Sequence, residues 1–284
     1  MKNNTFLILG GDNRSLYSGE YLEKQGLKVC YYAFNQTDCY ETLSDAISEA
    51  TTVILPLPCT RDRLALNTPL FENKILLSDI LALLTPEKMV FGGQLPKGFC
   101  EELDEKGVKY CDYFALDELA VYNAVPTAEG VIQVLMEELP ITIHGMNCAV
   151  LGYGKVGKIL ASTLRAMGSK VTVFARKATD FAIAHADGLE WEEISDLKNK
   201  KHNFNAIINT VPTLILGAAE LDEINPDCLL VEIASAPFGI DFQAAKERAL
   251  KVIKASSLPG KVAPQTAGEI IGRSVLPIIN ARGL

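Results

Sequence analysis

At 284 residues the chain is long enough for two domains of ordinary size, and its 48% hydrophobic and 22% charged residues are those of a folded globular protein. A formal charge of -8, with no dense Lys/Arg stripe to offset it, repels phosphate backbones and excludes nucleic acid as a partner. The seven cysteines, Cys30, Cys39, Cys59, Cys100, Cys111, Cys148 and Cys228, contain no CxxC pair, so neither a metal site nor a disulfide framework is expected, and reduced thiols fit the cytoplasm. The start carries too short an apolar run for a signal peptide. The longest apolar stretches, such as 75–84, are interrupted by Ser78 and Asp79 and fall below the roughly 20 residues of a membrane span.

In chain order, short apolar runs bounded by Gly, Pro or Asn alternate with amphipathic segments, the pattern of βα units around a parallel sheet. The first series predicts strand Thr5–Leu9, helix 16–25, strand Lys28–Tyr32, helix 39–49 and strand 52–55. It continues with strand-like 74–77, a helix before Pro86, and strands 89–91 and 109–111. Residues 116–139 read as a connector helix broken by Pro126, and 141–146 as a short lead-in. A second series opens at Asn147 with strand, glycine turn, helix 158–167 and strand 170–174, followed by strands Ala206–Asn209, 229–233 and 252–255. A last helix, 267–279, is expected to pack back on the connector.

The fold class is therefore α/β, with two Rossmann-like doubly wound domains, the second a classical NAD(P)-binding domain, and the C-terminal helix packing back on the first. The expected division is 1–140 as a substrate or partner domain, including the connector and completed by 265–284, and 141–264 as the dinucleotide domain.

The chemistry lies in Gly152-Tyr153-Gly154-Lys155-Val156-Gly157, which follows one expected strand and opens a helix. Gly152 serves the tight turn, Gly154 the close approach of a pyrophosphate, and Gly157 the packing of helix on strand, while helix amides and dipole face the phosphates. At the end of the next strand an acid would bind the ribose of NAD. Here Arg176 and Lys177 stand there instead, which favours NADP, with NAD as the other dinucleotide the turn admits. Asn209-Thr210-Val211-Pro212 and Ala234-Ser235 follow later strands at the crevice-forming carboxyl edge and complete the expected cofactor set.

Several ordered segments resemble the family of the dipicolinate synthase A subunit: Gly10-Gly11-Asp12-Asn13-Arg14, Leu55-Pro56-Leu57-Pro58, the connector segment Asn123-Ala124-Val125-Pro126-Thr127-Ala128-Glu129-Gly130, the glycine turn with Arg176, Asn209-Thr210-Val211-Pro212, and Ser257-Leu258-Pro259-Gly260-Lys261-Val262-Ala263-Pro264. Glu232 replaces an Asp of that family's pattern, and Pro237-Phe238-Gly239 a Pro-Gly-Gly turn. The resemblance implies NADP-linked formation of dipicolinate from dihydrodipicolinate or its hydrated precursor, in the mother cell of a sporulating bacterium. It also implies a partner, the dipicolinate synthase B subunit, and a homo- or hetero-oligomer. The architecture further resembles the 2-hydroxyacid dehydrogenases, but His144, His185 and His202 sit where none could act as their acid-base residue, and all three are read as surface residues.

A dicarboxylate substrate needs cations, and Arg14, Arg61 or Arg63, and Lys261 are the expected binders. Asp12 and Glu129 are the candidate bases, although Thr127 to Glu129 also reads as first-turn helix capping. Two other functions fit the same residues: an NADP-sensing component without catalysis, and an NADP-dependent dehydrogenase of another small carboxylic acid.

Overall fold

The computed structural model describes residues 4–35, 38–199 and 201–281. In chain order the elements are β1 (Thr5–Leu9), α1 (Asn13–Lys24), β2 (Lys28–Tyr32), α2 (Leu43–Glu49), β3 (Thr52–Ile54), α3 (Leu77–Leu83), β4 (Met89–Gly92), α4 (Lys97–Glu105), β5 (Lys109–Asp112) and α5 (Asp117–Glu138). They continue with β6 (Asn147–Leu151), α6 (Lys155–Ala166), β7 (Lys170–Ala175), α7 (Ala178–Ala186), β8 (Glu190–Glu193), β9 (Ala206–Asn209), α8 (Ala218–Leu221), β10 (Leu229–Glu232), α9 (Phe242–Glu247), β11 (Lys251–Lys254), α10 (Leu258–Val262) and α11 (Pro264–Ala281).

The chain forms two compact units, Met1–Asn123 with Ala263–Leu284, and Ala124–Val262. In the first, five parallel strands lie in the order β2-β1-β3-β4-β5. Alternate residues of β1 face opposite sides: Leu7 and Leu9 join Val53 and Val90 on one face, while Phe6 and Ile8 join Ile54 and Phe91 on the other. Burial on both faces is what a parallel sheet covered by helices requires. In the second unit six parallel strands take the order β11-β10-β9-β6-β7-β8. Counted within the unit, this is the doubly wound order of a dinucleotide-binding domain. Val150, Val173, Ile208 and Val231 fill one face, and Ala149, Leu151, Ile207 and Leu230 the other.

The fold departs from the sequence-based expectations at identifiable places. Residues 74–77 add no strand to the sheet; Leu76 makes an isolated antiparallel bridge to Ala65, and Leu77 begins α3. Helix α5 is unbroken, with Pro126 inside it. Proline there removes one backbone N–H bond, a local loss, while Leu119, Ala124, Ala128, Val131 and Leu135 are all buried on either side of it. The division between units falls inside this helix rather than at 140/141, because Ala128, Val131 and Leu135 belong to the core of the second unit. By length and composition alone α5 could cross a membrane; its Ala128, Val131, Ile132 and Leu135 pack in that core. Among the histidines, His144 and His185 are exposed as expected, but His202 is only 5% exposed. Its ring stacks on Phe204 at 5.5 Å, and its Nε2 lies 3.1 Å from the carbonyl of Leu197.

Helix α11 packs chiefly on α1 and starts at Pro264, with Ile270, Ile271, Val275 and Ile279 buried. The approach is close because α11 presents glycine: a Cβ on Gly268 would fall 2.6 Å from Cβ of Tyr17 and 3.0 Å from the backbone nitrogen of Ser18. Gly268→Val is therefore expected to lower stability by about 1–3 kcal/mol, measured by thermal unfolding, as overpacked cores do. A loss below ~0.5 kcal/mol, the scale of neutral surface changes, would contradict the helix contact.

Candidate functional site

The second unit reverses its strand order between β6 and β9, which pair from Cys148↔Ala206 to Leu151↔Asn209. Ligands of open α/β sheets bind at the carboxyl end of that junction. The residues that follow these two strands, Gly152 to Gly154 and Thr210 to Pro212, accordingly face each other across a cleft of about 490 Å³. Arg176, Lys177 and Asp180 after β7 form its other side, with Lys155, Lys158 and Ile194.

Each glycine has a separate physical reason. Gly152 turns at φ +93°, and a Cβ there would lie 2.6 Å from both Oγ1 of Thr210 and Cγ2 of Val211. At Gly157 a Cβ would collide with the carbonyl oxygen of Gly152, so glycine alone lets α6 sit against the turn. Gly154 differs: its φ of -81° suits any residue, and a Cβ there would meet nothing within 4 Å. Open space beside a backbone that could carry a side chain is what an approaching pyrophosphate needs. Gly154 is also the N-cap of α6, which has no side-chain cap and no acid in its first turn. A helix end without a side-chain cap is the setting in which backbone N–H groups can meet an anion.

Tyr153 occupies the turn but points inward: it is 3% exposed and its hydroxyl donates to Oδ2 of Asp187 at 2.6 Å. Burial, followed by that bond, pushes the phenol well above its ordinary pKa. Its side chain is therefore taken up by the interior of the unit. Val156 is half-buried on α6, and Lys155, Arg176 and Lys177 are exposed.

Thr210, Val211 and Pro212 line the cleft, whereas Asn209 does not. Asn209 is fully buried, and its Nδ2 donates to Oε1 and Oε2 of Glu232 at 2.8 and 3.0 Å. Its side-chain amide is thus committed to the end of β10 and to the carbonyl of Val211 rather than to the cleft. Ala234 and Ser235 lie one strand further on and are not cleft walls either; the N–H of Ala234 donates to Glu232 at 2.8 Å. Lys158, Asp180 and Ile194 do not stand out in the sequence, and only the turn's spacing to the next helical residues could have flagged Lys158.

In the first unit the corresponding junction lies between β1 and β3. Asp12 caps α1, with Oδ1 accepting from the N–H of Arg14 at 3.0 Å, and its carboxylate also takes the Arg14 guanidinium at 2.8–3.2 Å. Arg14, 7% exposed, donates onward to the carbonyl of Leu57. Neither residue is the free group expected: Asp12 is held as cap and counter-ion, and Arg14 bolts the loop after β1 to the loop after β3. Arg61 is exposed with Nε anchored on Oδ1 of Asn67 at 3.1 Å. A cleft of about 700 Å³ in this unit is walled by Arg63, Leu64, Leu76, Lys97 and Phe99 among others, without Arg14 or Arg61.

Glu129 is exposed in the interior of α5, so Thr127 is no helix cap and the capping alternative falls away. Lys261 is exposed on α10. None of the seven cysteines forms a disulfide, and burial pushes Cys59, Cys148 and Cys228 up to about 12. Among the described residues no group of three or more His, Cys, Asp or Glu could hold a metal ion.

Residues 5–114 match the family model of the N-terminal domain of the dipicolinate synthase A subunit, and residues 123–273 that described as S-adenosyl-L-homocysteine hydrolase, NAD binding domain. The dipicolinate synthase A subunit of Bacillus subtilis (strain 168) is 31% identical over 272 residues, covering 93% of this chain and 92% of that protein. The crystal structure of the dipicolinate synthase A chain from Bacillus subtilis aligns with TM-score 0.88 at 30% identity, covering 99% of this chain and 98% of that one. The corresponding crystal structure from Bacillus halodurans gives TM-score 0.88 at 28% identity and 97% of both chains.

The three glycines make a contrast that can be measured. Gly154→Ala is expected to leave thermal stability within ~0.5 kcal/mol while weakening NADPH binding at least ~10-fold. Gly157→Ala should instead cost about 1–3 kcal/mol of stability. Equal behaviour of the two variants would contradict the separate roles.

Proposed function

The chain belongs to the family of the dipicolinate synthase A subunit and carries an NAD-binding domain; from that premise we propose that it forms dipicolinate from dihydrodipicolinate or its hydrated precursor with NADP. The setting of this reaction is sporulation, in the mother-cell cytoplasm, with the dipicolinate synthase B subunit for a partner. The observation that carries the proposal is the open backbone at Gly154, set in one cleft with Arg176 and Lys177.

The residues present fit the dinucleotide. The uncapped first turn of α6 presents N–H groups and the positive end of the helix dipole to a diphosphate. Arg176 offers a planar fork for a 2'-phosphate, and Lys177 a second positive charge, where a carboxylate would repel it. The bound dinucleotide supplies the hydride acceptor.

Converting dihydrodipicolinate to the pyridine removes one hydride and one proton, and the hydrated precursor must first lose water. Aromatisation provides the driving force, so the protein's work is to place the substrate and take the proton. Arg61, oriented through Asn67, is the first unit's proposed carboxylate fork, and Lys261 supplies a further cation. Arg14 serves by holding the loops after β1 and β3 together. Glu129, which is exposed, is the proposed proton acceptor in preference to Asp12, whose carboxylate is already taken by Arg14.

The test is a dipicolinate assay of the purified chain with and without its B-type partner, following NADPH absorbance. Turnover to dipicolinate by the chain alone is expected; NADPH binding without any turnover in either mixture would leave a protein that only senses the nucleotide. A charge-assisted contact contributes about 1.5–3 kcal/mol, so Arg176→Asp is expected to cut the NADP over NAD preference by about 10- to 100-fold. Unchanged selectivity would remove Arg176 from the site.

A further inference from the structure

We infer that Glu232 is a positioning residue for the dinucleotide cleft, acting through the two strand-end loops that its carboxyl group fastens together. The inference rests on the nucleotide reading above and names a residue that never touches the ligand.

Glu232 ends β10 and is 1% exposed. Its Oε1 accepts from Nδ2 of Asn209 and the N–H of Ala234, both at 2.8 Å. Its Oε2 accepts from the N–H groups of Gly239 at 2.8 Å and Ile240 at 3.0 Å. All the donors belong to two segments, the end of β9 and the loop that leaves β10 and returns at Gly239. Asn209 passes the constraint on, because its Nδ2 donates to the carbonyl of Val211 at 3.0 Å and its Oδ1 accepts from the N–H of Val211 at 3.1 Å.

The relay ends at the cleft. Val211 and Thr210 are its wall, and both stand against Gly152 closely enough that a Cβ there would be 2.6 Å from each. The two loops also touch directly: a Cβ on Gly239 would fall 2.7 Å from the carbonyl oxygen of Val211. One carboxyl group thus sets where the wall opposite the glycine turn stands. Apolar packing could fill the same volume without burying a carboxyl group, but it could not orient four separate donors.

The experiment titrates NADPH and NADH into the full chain and its Glu232→Gln variant, with circular dichroism to confirm the fold. Glutamine keeps the size but turns an NH2 group against N–H donors. The expected result is a native spectrum, unchanged binding stoichiometry and NADPH affinity weakened at least ~10-fold, with the NADPH to NADH ratio held within about twofold because Arg176 is undisturbed. Glu232→Asp, which restores the acceptors on a shorter stem, is expected to recover part of the affinity. Unchanged affinity in a smaller folded fraction would reduce Glu232 to a structural role and overturn the inference, as would a collapse of the NADPH to NADH ratio. Should the Glu232→Gln chain not fold, Asn209→Ala, which leaves the three backbone bonds to Glu232 in place, carries the same test with the same outcomes. Binding of neither nucleotide by the unaltered chain would instead overturn the nucleotide reading itself.

Discussion

Between the carbonyl oxygen of Gly152 and the α-carbon of Gly157 there is no room for a side-chain carbon. That contact brings the head of α6 down onto the end of β6, and the first-turn N–H groups of the helix then open onto the cleft beside Gly154 rather than onto side chains. Everything proposed for the second unit follows from this placement. The wall formed by Thr210 and Val211 is built against Gly152, and Arg176 enters the same cleft from the end of the neighbouring strand.

The two units treat the same structural opportunity in opposite ways. Each has a parallel sheet whose order reverses beside its first strand, and each follows that strand with a glycine-containing turn and a 12-residue helix. In the second unit the helix head is left uncapped. In the first, Asp12 occupies it, capping α1 and taking the Arg14 guanidinium, which continues to the Leu57 carbonyl. A carboxylate at that helix end supplies from within the chain the negative charge that an anion would otherwise provide. The head of α1 is thereby taken up from within the chain, whereas that of α6 carries no side-chain cap.

Much of this is legible in the residue order. The strands Thr5–Leu9, Lys28–Tyr32 and Ala206–Asn209 are apolar runs that fall between turn residues, and the glycine turn carries its own strand and helix as context. Strand β8 is not legible because Glu190–Glu193 is an edge strand with a mostly polar sequence, held by pairing with β7 and by the stacking of Trp191 on Phe181. The continuity of α5 escapes the sequence because proline is a strong local signal, while the burial that overrides it comes from distant residues. The same limit explains the site. That Arg14 and His202 are buried, and that the Asn209 amide faces Glu232 rather than a ligand, depends on partners remote in sequence: Leu57 for Arg14, Phe174 for His202, and Glu232 for Asn209.

The central claim is that the head of α6, and not that of α1, receives the dinucleotide phosphates. Amide hydrogen exchange of the intact chain, with and without NADPH, measures this directly. The account predicts that the amides of residues 154–157 exchange at least ~10-fold more slowly when NADPH is present, as expected for backbone groups bonded to a ligand, while those of residues 14–17 are unaffected. Unaltered exchange at 154–157 with NADPH bound, or protection that appears at the head of α1 instead, would contradict it.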